Sequence, residues 1–216
     1  CCSPKRTFGK DELIVDYDDA VMYGRDLRLI ESGWLNASCI HYHFRRIQPD
    51  DESIVLLDPA VVSFFGHQCE DDDELCDFTR GYNNFTKVRR ILIPVNDTMV
   101  AGTTQWQIPR RNDHVWDPLH LDSVMGSWNR TAAQYVAHKF QKLWTTIGIS
   151  NEITTTPIRK GNVPQQVNCS DCGLHVLIAA EQLVLHDDDI EGRLYALFRS
   201  QPDACSGLRR RILALT

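Results

Sequence analysis

Two cysteines, Cys169 and Cys172, stand three residues apart in "QQVNCSDCGLHVLIAAEQL", residues 165 to 183, where a polar turn gives way to a long apolar run. Such a pair could be half of a zinc site, a redox dithiol or a nucleophile at a helix end, and either thiol alone could be a small buried hydrophobe. Zinc needs two further ligands at compatible spacing, and Cys69 and Cys76, with six residues between them, match poorly. A redox pair follows the strand of a βαβ unit, and the residues before Cys169 do not read as one. A nucleophile needs its thiolate stabilised, and the unpaired N–H groups and aligned peptide dipoles at a helix N-terminus do this. Gly173 would let the backbone pass close to a substrate. The run after it is apolar nearly all round and predicts a buried helix, the rigid support a catalytic thiol requires.

The elements that must position this thiol are partly legible. A turn-rich lead from Asp16 runs into a helix from about Asn36, on which Cys39, Ile40, His43 and Phe44 share a face. Asp58-Pro59 opens a short helix, and "CEDDDELCDF" reads as a solvated acidic loop. "VRRILIPVND" predicts a strand from Val88 to Val95, and "TTQWQI" and "VWDPLHLDS" predict two more around the polar turn "PRRND". The clearest amphipathic helix is "NRTAAQYVAHKFQKLWTTIG". Its stripe is Ala133, Val136, Ala137, Phe140, Leu143, Trp144 and Ile147, and Gly148 stops it. "ITTTPIR" predicts a strand and "DDDIEGRLYALFR" a terminal helix. With no internal repeat or low-complexity linker, the expected organisation is a loose polar segment over residues 1–12 and a single α+β domain over 13–216.

Composition excludes several function classes. The 216 residues are 43% hydrophobic, which favours a packed core over disorder. A net charge of −6 gives no basic face for nucleic acid, and no run of apolar residues is long enough to cross a membrane. The first residues lack the apolar stretch of a signal peptide, and the missing initiator Met is what a piece of a longer product would show. The eight cysteines are too dilute for a disulfide scaffold and are expected as reduced thiols of an intracellular protein. Five Asn-x-Ser/Thr sequons, at Asn36, Asn84, Asn96, Asn129 and Asn168, are read as chance. No cofactor or metal is expected.

Four blocks in order resemble one family. Gln166, Asn168, Asp171, Cys172 and Gly173 match the "Q-x-N-x-x-D-C-G" signature of the ubiquitin-like-protein-specific cysteine proteases, which process SUMO- and Nedd-type modifiers. "SGWLNASCI" is similar to that family's Trp-Leu-Asn-Asp block. "PVNDTMVAGTTQW" and "LHLDS" resemble two blocks of its deneddylase, or sentrin-specific protease eight, branch. The resemblance covers about residues 12–200. It implies a papain-like cysteine protease fold, a central mixed sheet flanked by helices. It also implies a cysteine-type peptidase that matures or removes a modifier after its C-terminal Gly-Gly, Nedd-type favoured, acting as a monomer in the cytoplasm or nucleus. Carried over by position, Cys172 is the nucleophile and Asp122 orients the base. Gln166 donates to the oxyanion, Trp34 and Trp106 wall a tunnel for the glycine tail, and Asn36 lies on the substrate side.

Three positions depart from the family. Gln105 stands where the catalytic His belongs, and its separation from Asp122, 17 residues, is the one the family pattern has. A glutamine amide accepts no proton at neutral pH, so it cannot act as general base, although it can hydrogen-bond its neighbours. His114 and His120 are weaker alternatives for the base. Ala37 replaces an acid that meets the modifier's tail, and Pro109 would interrupt a strand. Two readings follow: an isopeptidase of the deneddylase type, or a pseudo-protease that binds a ubiquitin-like protein without cutting it.

Overall fold

The computed structural model describes residues 8–69, 71, 73–74, 87–96, 104–109, 118–124, 129–146, 157–186 and 189–216, with backbone alone for 104–109. The expected acidic loop at 69–78, the PRRND turn beyond Pro109, His114, and the Ile147–Gly148 helix stop lie wholly or mostly outside these residues.

The lead before Asn36 is more ordered than its turn residues suggest. β1 (Leu13–Tyr17) and β2 (Ala20–Tyr23) form an antiparallel hairpin with Tyr17 opposite Ala20. Asp18 takes a left-handed φ of 54°, a conformation Asp tolerates in a two-residue turn. α1 (Gly24–Ser32) follows, its Asp26 carboxylate accepting from the Tyr23 N–H in a capping box. α2 (Ala37–Ile47) starts at the expected place, with the Asn36 side chain accepting from the Cys39 N–H as N-cap. All four predicted face residues of α2 are buried.

β3 (Ile54–Leu56), α3 (Pro59–His67) and β4 (Arg90–Asn96) come next. Asp58 caps α3 and Pro59 fills its first position, as expected. β5 (Thr104–Pro109) and β6 (Pro118–Leu121) pair antiparallel, ending at Pro109 opposite Pro118, where a missing N–H breaks no inner rung. α4 (Arg130–Thr146) buries Ala133, Val136, Ala137, Phe140 and Leu143 of the predicted stripe. The strand expected at "ITTTPIR" is reduced, among the described residues, to β7 (Arg159–Lys160), paired parallel with β6. α5 (Cys172–Leu185) is the predicted buried helix. α6 (Ile190–Ser200) is not terminal: α7 (Ala204–Leu215) follows it, and its arginine-rich sequence concealed a face carrying Leu208 and Ile212 into the core.

The sheet order is β3-β4-β5-β6-β7, with mixed strand directions. Its two faces carry different helices. Leu56, Leu92, Leu119 and Leu121 pack with α2 and α5, whereas Ile91, Ile93 and Val95 pack with Phe65 of α3 and Val136, Phe140 and Leu143 of α4. Alternation along β4 therefore divides the molecule into two cores, and the α+β architecture of helices flanking a central mixed sheet is the one expected. No helix among the described residues is long and apolar enough to cross a membrane.

Candidate active site

Cys172 is the first residue of α5 and is 3% exposed. The turn before it is built by Asn168, whose Oδ1 accepts from the backbone N–H groups of Ser170 and Asp171 at 3.0 and 2.9 Å. This local bonding shapes the backbone that enters α5. Cys169 lies outside that shelter, exposed, and neither cysteine is in a disulfide.

The end of β6 runs alongside. Asp122 follows the strand, 3% exposed, and its Oδ1 accepts from the Val124 N–H at 2.9 Å. Ser123 is bonded to Gln166 twice. Its carbonyl accepts from the Gln166 N–H at 2.8 Å, and its Oγ donates to Gln166 Oε1 at 2.9 Å. Gln166 Nε2 donates to the Asn168 carbonyl at 2.6 Å, which leaves its second N–H for another acceptor. Gln165 Nε2 bonds the Asp122 carbonyl at 3.0 Å. The Asp122 block and the Cys172 block, distant in sequence, are thus joined through Ser123, Gln165 and Gln166, of which the sequence reading had singled out only Gln166.

Gln105 and Trp106 are described through their backbone. Trp106 pairs with Leu121 and Gln105 with Val95, so the next rung along the β5–β6 ladder sets Gln105 beside Asp122. The converging of the Gln105 side chain on Cys172, and the facing of Trp106 with Trp34, fall outside the described side chains. Trp34 itself is 41% exposed in the short segment between α1 and α2.

The structure adds to two expectations. Gly173 was read as leaving room for a substrate. A Cβ there would meet Leu35 Cβ at 3.0 Å, so the space is taken by the Trp34–Leu35 segment packing on the first turn of α5. Asn36 was read as facing substrate. Its Oδ1 caps α2 and its Nδ2 donates to Asp26 Oδ1 at 2.7 Å, which gives it a structural role and leaves one Nδ2 N–H for a further acceptor. The bulk of the molecule holds His120 neutral: it is 2% exposed, and burial, with Lys160 and Arg130 adding, pulls its pKa down to about 4. A His that stays neutral cannot supply the imidazolium that stabilises a thiolate, which counts against His120 as a replacement base.

No family model matches the chain. The curated "Probable sentrin-specific protease 8" of Dictyostelium discoideum is 28% identical over 188 residues, 81% of this chain and 76% of that protein. Among solved structures, a de-sumoylating protease superposes with a TM-score of 0.71 at 14% identity, covering 93% of this chain and 89% of its own. The C-terminal Ulp1 protease domain in complex with Smt3, the yeast orthologue of SUMO, gives 0.68 at 16% identity, covering 85% and 80%. XopD of Xanthomonas campestris bound to ubiquitin gives 0.58 at 18%, covering 85% and 91%. At these identities the structures speak to the fold, which is that of these protease domains.

Proposed function

We propose that the chain is a ubiquitin-like-protein-specific cysteine protease, as its 28% identity to a probable sentrin-specific protease 8 supports, and that Cys172 is the thiol that attacks the carbonyl after the terminal Gly-Gly of a ubiquitin-like modifier, Nedd-type in preference to SUMO. The observation that supports this most is the burial of Cys172 at the N-terminus of an apolar helix, whose leading segment is bonded to the Asp122–Ser123 stretch through Gln165 and Gln166. In the proposed reaction the thiol loses its proton and sulfur bonds the carbonyl carbon. The carbonyl oxygen takes negative charge from the broken π bond, and the Cys172 N–H and the second N–H of Gln166 stabilise it. Collapse breaks the bond to the leaving amine, which takes up a proton, and water then hydrolyses the thioester. The exposed ring of Trp34 would form one wall of the slot for the glycine tail, with Trp106 the other. The partners are the modifier and its conjugates, met by a monomeric chain in the cytoplasm or nucleus.

Gln105 favours a second reading. With no base at that position, the thiol proton and the leaving amine must exchange with water, and the chain would hold a modifier while turning it over slowly if at all. The test uses modifiers of each type carrying a C-terminal electrophile. We expect a slow adduct at Cys172, faster with the Nedd-type tail and absent from Cys172→Ala. Binding without any adduct supports the non-cleaving reading, and neither binding nor adduct overturns both.

A further inference from the structure

The C-terminal helix α7 reaches back to the nucleophile through one side chain. Arg209, largely buried, donates from Nη1 to the carbonyls of Leu29 and Ile30 at 3.0 and 2.8 Å, and from Nη2 to the Gly33 carbonyl at 2.9 Å and Asp171 Oδ1 at 2.9 Å. Its partners fall in two groups. Three are carbonyls at the end of α1 and its cap, immediately before Trp34, of which the Leu29 carbonyl also accepts from the Gly33 N–H at 2.8 Å. The fourth is the carboxylate immediately before Cys172. We propose that Arg209 is a positioning residue: its guanidinium fixes the Trp34 segment against the N-terminus of α5 and neutralises Asp171 beside the reactive thiol. The proposal rests on reading Cys172 as the nucleophile.

Three observations support a fixed arrangement. A guanidinium presents its N–H groups in a rigid planar fork, so satisfying four acceptors sets their relative positions. The Trp34 segment is pinned at its other end too, where Asn36 bonds the buried Asp26. Leu35, between these anchors, packs within 3.0 Å of where a Cβ on Gly173 would lie. Asp171 does not cap α5 with its side chain, because its oxygens are engaged by Arg209 and by Asn168 Nδ2 at 2.8 Å. Among the described residues, Cys205 and His175, whose shifts Asp171 influences, carry no charge at neutral pH. Burial first, with Asp171 adding, pushes the Cys205 thiol up to about 12, and burial, opposed by Asp171, holds His175 down to about 4. Asp122, at the end of β6, is the further acid on that side of the thiol. Among the described residues, Arg209 is therefore the cation paired with Asp171.

The experiment follows the alkylation of Cys172 by iodoacetamide as a function of pH, read by mass spectrometry of its peptide so that other thiols do not interfere. The midpoint readout needs no modifier, so it tests the inference even if the proposed substrate is wrong. Arg209→Met leaves Asp171 unbalanced, and the alkylation midpoint should rise by about half a unit to one unit. Adding Asp171→Asn to that variant should return the midpoint, and Asp171→Asn alone should lower it, since Arg209 then faces the thiolate without its partner. Arg209→Lys should recover the midpoint but not the labelling rate by a saturating modifier probe, because an ammonium cannot span both groups of acceptors. A folded Arg209→Met variant with an unchanged midpoint overturns the proposal. Where Arg209→Met does not fold, an unmoved midpoint in Asp171→Asn does so.

Discussion

A thiolate and an imidazolium stabilise each other, and, on the proposed reading of Cys172 as nucleophile, Gln105 at the base position would withhold the imidazolium. What survives is the helix end under Cys172 and the second N–H of Gln166, which favour negative charge without moving a proton. Restoring the base by Gln105→His should therefore raise turnover of a modifier with a fluorogenic leaving group by ~10²–10⁴-fold, the usual contribution of general acid–base assistance. The gain should appear as a pH-dependent rate absent from the parent and lost in the additional Cys172→Ala variant. If the parent already matches Gln105→His, another base is at work. His120 is a poor candidate, because its ring stays unprotonated down to about pH 4 and lies among Lys160 and Arg130.

At the scale of elements, the bond network around the Trp34 segment makes a sharper prediction than helix capping alone. Asn36 is both the N-cap of α2 and the donor to Asp26, which is 1% exposed. Asn36→Ala removes the cap and leaves a buried carboxylate short of a partner, costing about 2–4 kcal/mol in urea unfolding. Asn36→Asp should cost at least as much although Asp caps helices well, because it sets a second carboxylate against Asp26. An Asp variant as stable as the parent would show that Asp26 does not depend on this bond. The same elements show what local sequence could reveal. α2, α3, α4 and α5 were legible because periodic faces and capping residues are local. The β1–β2 hairpin was missed because Asp18-Asp19 between short alternating runs was read as part of a longer turn, and α7 because three consecutive arginines masked its apolar face. At the site, the matched blocks supplied the candidates Cys172, Asp122 and Gln166. Asp26, Gln165 and Arg209 were not singled out, nor was Ser123 within its matched block, since each bonds a partner distant in sequence and no local pattern marks it.

Across the whole molecule, acid stability should be set first by histidines and only later by carboxylates. Burial holds His120 and His175 near pKa 4 in the folded protein, below the ordinary 6.5. Above pH 6.5 both are neutral in either state and their effect is absent. As pH falls from 6.5 towards 4, the unfolded chain binds protons that the folded protein refuses, so stability is lost through that window, by roughly 2 kcal/mol for each His at pH 5. Two carboxylates act lower. Arg45, hydrogen-bonded to Asp19, holds its carboxyl down, and at Glu181 the upward push of burial is outweighed by His43 and Arg211 together, so its carboxyl is also lowered. Their contribution is intact above the ordinary carboxylate range and is lost only below it. Urea unfolding at pH 7.5 and pH 5.0 separates the two classes, because the carboxylates stay ionised at both. We expect a fall of about 4 kcal/mol across that interval, large beside the 5–15 kcal/mol total stability common for proteins. His175→Phe should remove about half of the fall. His175 stacks on Phe198 with ring centroids 4.7 Å apart and lines an apolar pocket with Leu121, Val163 and Leu194, so phenylalanine suits the site and does not titrate. A parent equally stable at pH 5.0 and 7.5 would mean that both rings accept protons in the folded protein, and that neither is as sealed as its burial implies.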